Sequence, residues 1–372
     1  MSVYKRKSGR YAVLIDLEST ALGGRRRKSV GTFRTRKEAE AAERKALQQR
    51  DDGIDIPTAH LTVRTIVQRY IDRCRAKGLA PTTTMRYDSL AKPIFDAFGD
   101  VVVTKLSPAS VAQMYAQCQS NVLSPKSIRH VHGLLHAALE WAVQMNLVIR
   151  NVASIAACDL PKLKKSPARA LTETEAQQLL EAAKGSPWYA FFTLAICSGA
   201  RRGELAALRW SSIDFENKRM TIDQSLTRTD DGQKFKEPKT GLIRTVPLNR
   251  LATATLQWHK LQQNRDRKRA GGAYDEGDLV FADPLGEAWN LTAITNAFGR
   301  IAKDAGVHAR LHDLRHSCAS WMLQSGIDIR TVAGVLGHSS PVTTLGTYSH
   351  LMPGAEAKAV DAIAARLEAA AS

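Results

Sequence analysis

Two short proline-bounded stretches, residues 51–57 (DDGIDIP) and 158–167 (CDLPKLKKSP), divide this 372-residue chain into three blocks of different patterning. Turn formers and charges crowded between periodic segments mark connections, not elements. The chain is therefore expected to fold as modules 1–56, 57–157 and 168–372, with 158–167 as a linker. In the first block Tyr11, Val13 and Ile15 alternate with a strand period, a Gly23-Gly24 turn and a basic second strand follow, and a helix starts behind Thr35 with Glu38 three residues on. The second block is helical throughout. The third is helical except for strand-like segments at 219–228, 233–238 and 243–248, expected to form one three-stranded antiparallel sheet. The expected fold class is multidomain and mainly α, with small antiparallel β-sheets and an α+β C-terminal domain.

The net charge of +17 points to a polyanionic partner. The charge is uneven: residues 1–50 carry 14 Lys/Arg against 5 Asp/Glu, about half of the surplus. No run approaches the ~18 apolar residues of a membrane span, and no signal-peptide pattern opens the chain, so nucleic acid is preferred to a membrane surface. Candidate DNA contacts are Lys5, Arg6 and Lys7, then Arg25, Arg26, Arg27 and Lys28 on the second strand, Arg129 in the helical block, and Lys164 and Lys165 in the linker. The five cysteines are scattered without a CxxC pair, which suggests neither a zinc site nor a disulfide framework.

The helical block carries its own punctuation. Ser107-Pro108 and Ser124-Pro125 each place a capping serine before a first-turn proline. The last helix, residues 128–143, gives way to NLVIRN. His130, His132 and His136 on this helix do not share one face, so a solvated or DNA-facing surface is expected there instead of a metal cluster.

The C-terminal block holds reactive side chains in the order Arg201, Lys239, His312, Arg315, His338 and Tyr348. In-line attack on a phosphodiester needs its non-bridging oxygens neutralised, its leaving oxygen protonated and its nucleophile deprotonated. Two arginines, a lysine, two histidines and a tyrosine supply those functions without a metal. Arg201 is expected near a helix N-terminus, where it needs an anionic partner, with Glu204 fixing its guanidinium. Lys239 sits in the turn after the second strand, with Lys234 and Lys236 as competitors. His312 and Arg315 are three apart on a helix and share a face, and His312 can accept the proton of a tyrosine whose ordinary pKa is about 10. His316 is expected to be structural and to point elsewhere, and Asp313 to cap the helix start.

The fragments SGARRGEL, PKT, LHDLRH and LGHSSPVTTLGTYSH resemble the active-site motifs of the tyrosine recombinases, the phage integrase family. Arg201 matches the family's first arginine, His338 its third-box histidine and Tyr348 its nucleophile. Two features depart from the common pattern. The Lys239 turn lacks a serine, and Tyr348 follows His338 by ten residues, as in an integrase subgroup. The resemblance implies an arm-binding N-terminal domain, a SAM-like core-binding domain and a catalytic domain. It further implies site-specific recombination through a 3′-phosphotyrosyl link and a Holliday junction, with no metal, ATP or other cofactor. The implied partners are double-stranded core and arm attachment sites, a homotetramer on DNA, an excisionase and a DNA-bending protein. The setting would be the bacterial cytoplasm, on the nucleoid, with integration or excision of a phage or mobile element as the outcome. A type IB topoisomerase and a non-catalytic DNA-binding factor are the alternatives. The alanine-rich tail 355–371 has an apolar stripe that must be covered, in cis or on a neighbouring protomer.

Overall fold

The computed structural model describes residues 3–17, 26–51, 61–163, 169–229, 232–237, 243–337, 340–348 and 363. The chain divides into two compact units, 1–164 and 165–372.

The first unit opens with strands β1 (Val3–Lys5), β2 (Tyr11–Leu17) and β3 (Arg26–Phe33), an antiparallel sheet in that order. The apolar alternation settles which face is covered. Val13 and Ile15 are buried against Ala39 and Ala46 of helix α1 (Arg36–Asp51). Thr35 and Glu38 close the expected capping box, each backbone N–H reaching the other's side chain at 3.2 Å.

Helices α2 (Val63–Ala76), α3 (Pro81–Phe98), α4 (Pro108–Ser120) and α5 (Pro125–Gln144) enclose a second core. Ile66, Ile71, Ile94, Ile128 and Leu139 lie inside it. Ser107 and Ser124 cap α4 and α5, accepting from Ser110 N and Ser127 N at 3.1 Å each. The helical pattern runs past its expected end at Asn151. That residue caps a short α6 (Val152–Ala156) and ties it to α5 through the His136 carbonyl and Glu140.

Of the histidines of α5, expected on a solvated or DNA-facing surface, His132 and His136 are half-buried and partnered within the fold. The His132 Nδ1 lies 2.6 Å from the Tyr115 hydroxyl, and the His136 Nε2 lies 3.0 Å from Ser154 Oγ. Two of the three thus serve helix packing, because a half-buried imidazole must find a partner. No metal-holding group of His, Cys, Asp and Glu occurs among the described residues.

The second unit begins with α7 (Glu173–Ala183), α8 (Tyr189–Ser198) and α9 (Arg202–Ala206). Thr172 and Glu175 form a capping box at the start of α7. Helix α8 is apolar on almost every face and sits inside the core, with Phe191 and Phe192 edge-on to Phe281 and Phe298. Strands β4 (Ile213–Asp214), β5 (Arg219–Ile222), β6 (Ser225–Thr229), β7 (Gly232–Lys236) and β8 (Arg244–Pro247) follow.

They do not make the single sheet expected. The first segment breaks at Asp223-Gln224, giving a sheet β4-β5-β8 and a separate hairpin β6-β7. The division has a solvation logic. Met220 faces Val246 in register and both are buried, whereas β7 is polar and largely exposed.

Helices α10 (Arg250–Ala270), α11 (Leu291–Asp304), α12 (Leu311–Gln324), α13 (Ile329–Leu336) and α14 (Pro341–Tyr348) complete the unit. The Ser317 hydroxyl on α12 accepts from Leu171 N at 2.8 Å, tying the entry of this unit to the helix that carries His312 and Arg315. No helix among the described residues is long and apolar enough to cross a membrane.

Candidate active site

Glu204 on α9 is the buried centre of the reactive cluster, with its side chain 1% exposed. Burial alone would raise its carboxyl pKa. Hydrogen bonds and charge from Arg244, then from Arg201, outweigh burial and hold it below the usual carboxylate range. Arg201 Nη1 donates to Oε1 at 2.7 Å, and Arg201 N donates to Oε2 at 2.8 Å. From β8, Arg244 approaches with Nη2 2.7 Å from Oε2 and Nη1 3.2 Å from Oε1. The expected buttressing of Arg201 by Glu204 is therefore present in the geometry, with a second guanidinium on the same carboxylate.

Two glycine carbonyls fix the arginines from the other side. Gly199 ends α8 and Gly337 ends α13, both left-handed, at φ +62° and +67°. This conformation turns the carbonyl away from the helix axis and favours glycine. The Gly199 carbonyl accepts from Arg315 Nη1 at 2.6 Å, and the Gly337 carbonyl accepts from Arg201 Nη2 at 3.1 Å. A side chain at either position would be strained by the positive φ and would also force a neighbour to shift. A Cβ at 199 would lie 2.6 Å from Leu336 Cδ2, and one at 337 would lie 2.6 Å from Arg244 Nη1.

Arg315 is buried, yet among the described residues its Nη2 has no hydrogen-bond partner. Burial, then repulsion from Arg201 and Arg244, pushes its pKa down to about 10, and Glu204 offsets only part of this. It remains charged at neutral pH. Three guanidiniums around one carboxylate leave the cluster with a net positive charge and a spare donor.

The same helix presents His312, Arg315 and His316 on one face. His312 is exposed. Desolvation by the surrounding protein, then the charges of His316 and Arg315, push its pKa down to about 4, so it is neutral at pH 7. Asp313 is buried at the third position of α12 and accepts from Arg310 N at 2.8 Å, the capping role expected of it.

Tyr348 closes α14 and is 2% exposed. Its ring packs with Ala319, Leu323, Val332 and Leu336. Burial raises its pKa to about 12, with Arg315 acting in the opposite sense. Among the described residues its hydroxyl does not bond His312, the expected acceptor. Its partner is His316, whose Nδ1 lies 2.5 Å away. The expectation that His316 points elsewhere was wrong. Residues i and i+4 of a helix share a face as closely as i and i+3.

Arg201, Glu204, His312, Arg315 and Tyr348 thus gather in one unit, whereas Lys239 and His338 lie outside the described residues. So do Arg25, Lys164, Lys165 and the tail apart from Ile363. Of the remaining candidate DNA contacts, Lys5, Arg6 and Lys7 are exposed at the β1 edge, and Arg26, Arg27 and Lys28 lie on β3. Arg129 is half-buried, and its Nε holds the Pro161 carbonyl at 3.0 Å, so part of its donor capacity serves the fold. Sequence reasoning missed two residues. Arg244 begins the RTVP strand, where alternation with the buried Val246 could have marked it as facing inward. His316 could have been found from helical spacing.

The sequence model described as the phage integrase family matches residues 169–354. Among curated proteins, a tyrosine recombinase XerC-like protein of Caldanaerobacter subterraneus is 25% identical over 351 residues, covering 89% of this chain and 90% of that protein. The ICEBs1 integrase of Bacillus subtilis is 24% identical over 97% of this chain and 98% of its own length. Among solved structures, the Tn1549 transposon integrase in complex with a circular intermediate DNA superposes with a TM-score of 0.67 at 22% identity. It covers 77% of this chain and 95% of that one, a likeness of fold.

The shared carboxylate has a measurable consequence. Arg244→Met should lower the unfolding free energy by about 3–5 kcal/mol, the cost of breaking a buried pair from one side. In a Glu204→Gln background the same change should cost less than half as much, because the charge it serves is gone. Urea titrations of the four proteins measure this, and equal costs in both backgrounds would contradict the shared clamp.

Proposed function

This chain belongs to the phage integrase family and is a site-specific tyrosine recombinase, and we propose that Tyr348 is its nucleophile and that Arg201 and Arg315 hold the scissile phosphate. The observation that carries this reading is the buried Arg315 Nη2, without a partner among the described residues, in a site with more guanidinium than carboxylate charge. A phosphodiester supplies what is lacking. Each arginine spends one nitrogen on a glycine carbonyl, which leaves donors for the two non-bridging oxygens. His312, neutral and at the solvent edge, donates a further hydrogen bond to the same phosphate. Glu204 and Arg244 keep Arg201 in place.

The remaining roles rest on motif position and chemistry. Lys239 protonates the departing 5′ oxygen, and His338 hydrogen-bonds the phosphate. Attack by Tyr348 forms the 3′-phosphotyrosyl bond and releases a 5′ hydroxyl. That hydroxyl's counterpart on a partner strand reverses the step, so bond energy is retained across the exchange.

Residues 168–372 form the catalytic domain in this reading, with 57–157 clamping the core site and 1–56 reading a separate arm site. The exposed basic edge at Lys5, Arg6 and Lys7 and the surplus of charge in residues 1–50 support the last assignment. The working form is a homotetramer on paired duplexes, passing through a Holliday junction to integrate or excise a mobile element. An excisionase and a DNA-bending protein set its direction, on the nucleoid in the bacterial cytoplasm.

Tyr348→Phe should bind core-site DNA as the wild type does and form no covalent adduct on a nicked suicide duplex, since only the phenolic oxygen is lost. Denaturing gels read this, and trapped protein in the variant would refute the nucleophile assignment. Removing residues 1–56 should leave cleavage of an isolated core site intact and abolish binding to arm-type duplexes. It should also reduce the salt dependence of binding by about 0.9 log unit per log salt for each phosphate that those residues neutralise. Mobility shifts at several salt concentrations check it, and an unchanged slope would contradict the arm-binding role.

A further inference from the structure

The deprotonation of Tyr348 needs a named acceptor, because a phenol with a pKa near 12 is almost fully protonated at neutral pH. Two histidines stand near it on α12, one turn apart, with ring centroids 4.8 Å from each other and planes at 82°. Only one of them meets the hydroxyl. The His316 Nδ1 lies 2.5 Å from Tyr348 Oη, a short hydrogen bond for an O–H donor. His312 makes no such bond to Tyr348 among the described residues and is exposed.

A purely structural histidine in this same unit looks different. The His259 Nε2 is 2.8 Å from the Val280 carbonyl, a partner that can only accept, so that imidazole is a donor. The partner of His316 is a hydroxyl with one proton to give, and that proton belongs to the atom that must attack phosphorus.

Resting on the reading of Tyr348 as nucleophile, we propose that His316 is a catalytic residue, the group that accepts the phenolic proton during strand cleavage. In its neutral form His316 carries hydrogen on Nε2 and presents the Nδ1 lone pair to Tyr348 Oη. As Oη bonds to phosphorus, its proton passes to Nδ1 and the bond from phosphorus to the 5′ oxygen breaks, that oxygen taking a proton from the general acid. His316 is left as imidazolium. On rejoining, it returns the proton to the departing Tyr348 oxygen, and its starting form is restored.

The charges around it suit this cycle. Burial, Arg315 and Arg310 favour the neutral, accepting form, while the buried carboxylate of Asp313 favours the imidazolium that follows. His312 is held more firmly neutral, at about 4, chiefly by desolvation, and the charges of Arg315 and Arg201 would oppose a new positive charge there.

The test is single-turnover cleavage of a nicked core-site duplex by the full chain, from about pH 5 to 9, a span that brackets the ordinary imidazole range, with levelling expected on its acidic side because burial pushes the His316 pKa down. Wild-type rates should rise with pH and then level as His316 becomes neutral. The Oδ1 of His316→Asn stands close to where Nδ1 stood, so it keeps the hydrogen bond and cannot take the proton. That variant should bind the core site normally, cleave about 100-fold more slowly or worse, and lose the levelling, its rate climbing with hydroxide instead. His312→Asn should be slower yet keep the levelling.

A His316→Asn rate within about threefold of wild type, or one above it, would overturn the proposal, the latter by making the bond a restraint on the tyrosine. So would transfer of the pH signature to His312→Asn. A reading on the unaltered protein stands beside these: nitrogen NMR of the labelled histidines should place the His316 hydrogen on Nε2, and an Nδ1–H form overturns the proposal whatever the variants do. Tyr348→Phe run in parallel separates the two readings. If it still traps DNA, the nucleophile assignment fails; if it is inert while His316→Asn is normal, only His316 is wrongly assigned.

Discussion

One buried carboxylate carries the architecture of this site. Glu204 is removed from water, and a charge so placed survives only if paired and fully hydrogen-bonded. Arg201 comes from its own helix end and Arg244 from strand β8, and together they fill both oxygens. Arg244 also donates its Nε to the Val335 carbonyl at 3.0 Å, near the end of α13. The strand, the short helix and α13 are thus held to one another through a single charge. Were Glu204 neutral, three guanidiniums would face each other across a desolvated space.

The two helix ends answer the same electrostatic problem with neutral groups. A second carboxylate beside Arg315 would satisfy it, and would also cancel the charge that phosphate binding requires. A backbone carbonyl carries only a partial charge, so it orients a guanidinium and leaves the net positive charge in place. Gly199 and Gly337 supply such carbonyls because a left-handed cap turns them outward, and because side chains at either position would collide with Leu336 or Arg244. Orientation and charge are thereby set by different atoms. In the proposed reaction the arginines are already in position, so little reorganisation would remain when charge develops in the transition state.

Much of this was legible in the residues. Capping pairs such as Thr35 with Glu38 and Thr172 with Glu175, and the apolar run of α8, act over one or two turns of chain and are set by local spacing. The reactive order from Arg201 to Tyr348 was visible as motif. What escaped was decided by long-range contacts. The break at Asp223-Gln224 depends on which strand finds β8, and strand period alone does not choose a partner. Arg244 lies 40 residues from Glu204, so nothing near it in sequence announces a carboxylate. Which of His312 and His316 meets the tyrosine hydroxyl turns on where α14 delivers that side chain, a matter of tertiary packing against Leu323, Val332 and Leu336.

The central claim is that the orphaned donor of Arg315 exists to neutralise a phosphate oxygen. A core-site duplex with a methylphosphonate at the scissile position removes that oxygen's charge while leaving phosphorus open to attack. Arg315→Ala should be deeply impaired on the ordinary phosphodiester and recover a large part of its cleavage rate on the methylphosphonate, because the charge it can no longer balance is absent. Equal impairment on both substrates would contradict the account and make Arg315 a structural residue.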